Sequence, residues 1–152
     1  MSQNQKKFHR YFHEVLAEAS KMKSPAQRVK HLQEYPSFAL KTVLQINFND
    51  SIVLDLPKGD IPEGVITFSE KASQPVDRMI KIMKYFVKGN TRLDKIKKEA
   101  KFIQLLEGIC EGDARAIIAA KDKELRKLYP GITPKVAKEA FPGVQFEFPE
   151  KK

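Results

Sequence analysis

Tryptophan is absent from the 152 residues, and cysteine occurs once, as Cys110. A lone cysteine closes no internal disulfide and completes no cysteine-based zinc site, and it fits a reducing compartment. Glycine is sparse, and Gly59, Gly64 and Gly89 lack the Gly-Lys-Ser/Thr ending and strand-turn-helix setting of a phosphate-cradling loop. No apolar run approaches the roughly 18 residues of a membrane span. The opening Met1–Lys7 leads into an amphipathic pattern with no signal core. No serine stands in a nucleophile elbow, and no self-similarity marks a repeat array. These absences predict an intracellular protein without membrane attachment, and nothing among them supports an enzyme.

What is present is bulk and charge. Ten Phe, four Tyr and four Met supply a core, and a chain of this length buries about 68–70% of its unfolded surface, so neither metal nor disulfide is required to fold it. Phe8, Tyr11, Phe12, Val15, Leu16, Ala19 and Met22 recur at helical spacing and form one apolar stripe. Ser24-Pro25 reads as an N-cap with proline at the first helical position, for a helix turning Val29 and Leu32 inward and ending before Pro36. Ser37 caps a third helix bearing Phe38, Leu40, Val43 and Leu44.

From Asn47 to Pro75, prolines, glycines and the Asn47/Asn49/Asp50 cluster exclude a long helix. Within that stretch Ile52–Leu54 and Val65–Phe68 are β-branched and apolar, which predicts extended segments able to pair as a small β-ribbon. Helical spacing resumes with Met79, Ile80, Met83, Phe86 and Val87 and stops at Gly89-Asn90, an easy left-handed cap. Thr91 is read as opening the next helix, with Asp94 near its N-terminus. Leu93, Ile96, Ala100, Ile103, Leu106 and Cys110 turn inward there, and Phe102, Leu105 and Ile109 widen the face. Asp113 then caps a helix with Ile117, Ile118, Leu125 and Leu128, and Thr133-Pro134 opens a short last one. The tail alternates Val144, Phe146 and Phe148 in the period of a strand.

The expectation is a mainly α fold, a compact pack of six or seven helices with one irregular Pro/Gly-marked insertion. It is read as a single domain over residues 1–152. N-terminal helices occupy 1–46, the irregular loop 47–75, the helical core 76–141 and the extended tail 142–152.

The net charge of +9 is unevenly spread. Residues 1–31 carry +5, 32–70 carry −4, 71–101 carry +7 and the remainder +1. In the +7 segment Arg78, Lys81, Lys84 and Lys88 share the flank of one predicted helix, and Arg92, Lys95, Lys97, Lys98 and Lys101 that of the next. Two basic flanks joined by a Gly-Asn turn make a candidate patch for DNA or RNA phosphates, against the plainer view that lysines solubilise a helical surface. No recognised nucleic-acid motif accompanies them.

Other candidates weigh less. His9 and His13 stand four apart on one helix, a metal-capable spacing, but Arg10 occupies the slot of a metalloprotease glutamate and only His31 remains as a third imidazole. Asp50, Asp55, Asp60 and Glu63 match no calcium loop and read as a solvated loop face. Cys110 lies at an apolar helical position with no histidine near it in sequence, so it reads as core packing. No catalytic residue, metal or cofactor is therefore assigned. Ile52, Leu54, Leu56, Phe146 and Phe148 pair with one another or fold onto the helices; alternatively they offer an apolar surface to a protein partner.

Three stretches taken together carry a resemblance. They are Leu54-Asp55-Leu56-Pro57-Lys58-Gly59 with Pro62; Phe102–Gly108 leading through Gly112-Asp113-Ala114 to Ala120–Lys123; and Gly131–Val136 with Glu139-Ala140-Phe141-Pro142. In this order they resemble an uncharacterised family of small proteins encoded by large tailed bacteriophages of the myovirus type, including phages of marine cyanobacteria. The resemblance implies a phage origin and action in the host cell cytoplasm, and it carries no functional residue across. The readings left are a binding protein working at nucleic acid or its machinery, and an adaptor, inhibitor or virion component that meets a host or phage protein.

Overall fold

Ser24, Ser37 and Thr133 start helices as their contexts predict. The Gln27 amide donates to Ser24 Oγ at 3.2 Å while Gln27 Oε1 accepts from the Ser24 amide at 3.3 Å, a reciprocal capping box. Ser37 Oγ accepts from Leu40 at 3.1 Å and Thr133 Oγ1 from Val136 at 3.2 Å. The computed structural model describes residues 11–59, 61, 66–68, 72 and 74–144. Among them eight α-helices follow in order: α1 (Phe12–Ser20), α2 (Pro25–Glu34), α3 (Phe38–Phe48), α4 (Val76–Met79), α5 (Lys95–Glu107), α6 (Glu111–Lys121), α7 (Leu125–Leu128) and α8 (Pro134–Ala140). A 3-10 helix, Ile80–Phe86, continues directly from α4. The mainly α class is as expected.

One hydrophobic core joins these elements. Helix α6 lies at its centre, buried on most of its circumference by Ala114, Ala116, Ile117, Ile118 and Ala120. Three of its four alanines are buried, and α3 packs against it with Leu40, Val43 and Leu44 fully buried in the core. Each such side chain contributes about 1.5–3 kcal/mol of burial free energy. Helix α1 packs on both α2 and α6, α8 closes over α2, and α5 lies along the 3-10 helix. The one buried asparagine of α3 is satisfied, since Asn47 Oδ1 accepts from the Leu125 amide at 3.0 Å.

Several expectations are corrected. The helix read through Val87 is α-helical only to Met79 and then tightens, and Val87 leaves it to form a lone antiparallel bridge with Leu54. The Asp55 amide donates to the Phe86 carbonyl at 2.6 Å and the Lys88 amide to the Val53 carbonyl at 2.6 Å. Ile52–Leu54 therefore pairs with the end of the 3-10 helix, and no β-ribbon stands among the described residues.

Helix α5 begins at Lys95, where Asp94 Oδ1 accepts from the Lys97 amide at 2.9 Å, so Arg92 precedes the helix. Its inward stripe runs Lys98, Phe102, Leu105 and Leu106, which turns Ile96 out to 80% exposure. Asp94, rather than a threonine three residues earlier, is the N-cap. Cys110 belongs to the start of α6, and Asp113, expected as a cap, sits inside the third helical position with no exposure. Helix α6 ends at Lys121 because Lys123 adopts a left-handed backbone, φ 62°, unusual for a lysine.

Candidate functional site

Three of the exposed cations of the mid-chain segment lie over two aromatic rings. Lys84, in the last turn of the 3-10 helix, places Nζ 5.2 Å from the Tyr85 ring centroid, and the Arg92 guanidinium carbon approaches the same ring at 6.0 Å. Asn90 sets this arrangement. Its side-chain amide donates to the Lys84 carbonyl at 3.3 Å and its Oδ1 accepts from the Arg92 amide at 3.0 Å. Gly89, at φ 99°, supplies the reversal that lets the chain return, as the Gly-Asn pair predicts.

A second cation–ring pair adjoins. Lys81 Nζ lies 5.7 Å from the centroid of Phe38, the first residue of α3, which is 48% exposed. Between α3, the 3-10 helix and the Ile52–Leu54 segment runs a groove of about 410 Å³. Ile46, Leu54, Ile80 and Met83 are its buried lining, while Phe38, Lys81 and Lys84 are its exposed lining. Asp77 braces it by accepting the Ala39 amide on Oδ1 at 2.9 Å, which ties α4 to the start of α3.

Of the basic residues predicted to form the patch, Arg78, Lys81, Lys84, Lys88, Arg92, Lys95, Lys97 and Lys101 are exposed. None of these eight forms an ion pair with another described residue. Lys98 does not belong with them. It is 3% exposed and its Nζ lies 3.3 Å from Asp55 Oδ2, so its charge is spent inside the fold. The acidic residue read as part of a solvated loop face is its counterion, which is a second correction. Of the apolar candidates, Leu54 is buried, and Ile52 and Leu56 pack partly buried against the core. Val53 instead is 46% exposed. Phe146 and Phe148 lie outside the described residues, as does His9.

Sequence reasoning missed a second cluster, where α1 meets the start of α6. His13 Nδ1 lies 2.8 Å from Asp113 Oδ1, and the His13 backbone amide donates to the same oxygen at 3.2 Å. The carboxylate only accepts, so Nδ1 carries the proton of that bond. Cys110 Sγ lies 3.8 Å from the same nitrogen. Burial pushes the Cys110 thiol up to about 11; the Asp113 amide pulls it down and the Asp113 carboxylate pushes it up again. Tyr129 belongs to the same surroundings, its phenol raised to about 12 by burial and then by Asp113 and Cys110. A thiol so protonated, facing the nitrogen that the carboxylate already holds, is not an activated nucleophile. The only signal in the sequence was a cysteine three residues before an aspartate, and the histidine lies about a hundred residues away.

The sequence profile of a family of unknown function, DUF6433, matches residues 15–127, from within α1 to within α7, and takes in the whole of the basic segment. No curated protein and no solved structure matches the chain.

Proposed function

The chain belongs to the DUF6433 family, which has no assigned activity, and from its own surface we propose that it is a non-enzymatic binding protein that engages the phosphate backbone of a nucleic acid. The observation that carries this reading is the Tyr85 ring shared by Lys84 and Arg92, beside the Phe38 ring and Lys81. Cations without acidic partners release counterions from phosphates, and the partly exposed Tyr85 ring among them offers a face on which a base stacks. That combination favours a single strand over a duplex. The resemblance of three stretches to proteins of tailed phages supports a phage-encoded protein that works in the cytoplasm of its bacterial host. The test is anisotropy of labelled single-stranded DNA and RNA against salt. Affinity should fall with a slope of about −0.7 per phosphate contacted. Replacing Lys81, Lys84 and Arg92 together by glutamine should flatten it, and unchanged affinity in that variant rejects the proposal.

The groove favours a second reading, in which an apolar segment of a protein partner lies between α3 and the 3-10 helix with acidic residues against Lys81 and Lys84. A stoichiometric protein retained after nuclease treatment, and lost on Phe38→Glu, would favour it over the first.

A further inference from the structure

The cluster between α1 and α6 brings three different metal-binding chemistries to one point. His13 offers an imidazole nitrogen, Cys110 a sulfur and Asp113 a carboxylate oxygen, all within 4.8 Å of one another. Asp113 has no exposure, and although its Oδ1 accepts two hydrogen bonds, its Oδ2 is buried without any partner. An ionised carboxylate oxygen left bare inside a protein is costly, and it asks for a proton donor or a cation.

We propose that His13, Cys110 and Asp113 form a zinc site. The separation of nitrogen and sulfur suits it. Nitrogen and sulfur ligands of one tetrahedral zinc stand about 3.5 Å apart, given bond lengths of about 2.0–2.1 and 2.3 Å; here Nδ1 and Sγ are 3.8 Å apart. One borderline nitrogen, one soft sulfur and one hard oxygen select zinc over magnesium or calcium, which take oxygen sets. The His13 side chain is 25% exposed, so solvent has a route to the fourth position. On binding, the thiol proton leaves to solvent and the imidazole proton shifts from Nδ1 to Nε2. The metal then replaces the hydrogen bond between Nδ1 and Asp113 and uses the oxygen that lacked a partner. Residues about a hundred positions apart are joined, so the ion clamps α1 to the start of α6. This inference stands apart from the nucleic-acid reading and does not depend on it.

The single cysteine makes the test sharp. Cobalt(II) added to the full chain without an affinity tag should bind in a one-to-one ratio and give a thiolate-to-cobalt charge-transfer band, which only Cys110 can produce. Zinc should displace it and raise the unfolding temperature. Cys110→Ser should abolish the band, and Asp113→Asn should weaken cobalt binding by about tenfold or more, since even partners behind a metal ligand are worth that much. Should those variants fail to fold, X-ray absorption of the zinc-loaded wild-type chain decides the matter. One sulfur neighbour supports the site, whereas a shell of only nitrogen and oxygen overturns it. Absence of the charge-transfer band in the folded wild-type protein overturns it equally.

Discussion

Lys98 reaches Asp55 across 43 residues, Nζ to Oδ2 at 3.3 Å, with the lysine almost wholly buried and the aspartate one-third exposed. A buried ion pair of this kind is weak evidence of net stabilisation, but losing one partner strands the other. Asp55→Ala should destabilise the protein by about 1–3 kcal/mol, below the cost of a fully buried pair because solvent screens the aspartate. Adding Lys98→Met should restore most of the loss by replacing the charge with an apolar chain of similar length. Urea unfolding of the two single variants and the double reads this directly.

At the basic face, Tyr85→Ala should weaken single-strand binding by about 1–3 kcal/mol if a base stacks on the ring, and it also unseats Lys84 and Arg92. Lys98→Gln should leave the salt slope unchanged, since its side chain is buried and its ammonium is paired with Asp55. Anisotropy titrations at several salt concentrations separate the two outcomes.

Lys123 holds the end of α3. Its ammonium donates to the Ile46, Asn49 and Ile52 carbonyls, the second at 2.9 Å, while its own backbone stands at φ 62°. Lys123→Met removes the ammonium donor from those carbonyls, of which Asn49 keeps the Ile52 amide at 3.0 Å, and should cost about 1–3 kcal/mol. Lys123→Gly should cost about 1 kcal/mol less, because glycine relieves the left-handed strain. Thermal or urea unfolding checks the order of the two.

Gly112 lies under the His13 ring, where an added Cβ would fall 2.2 Å from Nε2. Gly112→Ala should therefore push the ring off Asp113, cost about 1–3 kcal/mol of overpacking, and remove the cobalt charge-transfer band. Imidazole resonances in the NMR spectrum report the displaced ring independently of any metal.

Alkaline pH should weaken the fold through Tyr129. Its phenol titrates near 10 when unfolded and near 12 when folded, so the folded state holds the proton more tightly. The stability this contributes is complete below pH 10 and is lost as pH rises towards 12. Cys110 has the same sign, from 9.0 to about 11, whereas burial lowers Lys123 and acts in the opposite sense up to 10.5. Comparing Tyr129→Phe with the wild type between pH 10 and 12 isolates the tyrosine: the variant should decline less.

The local chemistry of the chain was legible from its sequence. Ser24, Ser37 and Thr133 cap helices because a short side-chain oxygen followed by helix formers satisfies free amides wherever it occurs, and Gly89 reverses the chain because it lacks a Cβ. The mainly α class follows from the apolar spacing between such signals. What depended on distant neighbours was not legible. Lys98 reads as one more surface lysine until Asp55 is brought beside it, and the face that α5 turns inward is chosen by the elements it packs against. The left-handed Lys123 carries no local mark, since the carbonyls that hold its ammonium come from α3 and the segment after it. His13, Cys110 and Asp113 meet only because α1 packs against α6, and spacing along a chain says nothing about groups that packing alone makes neighbours.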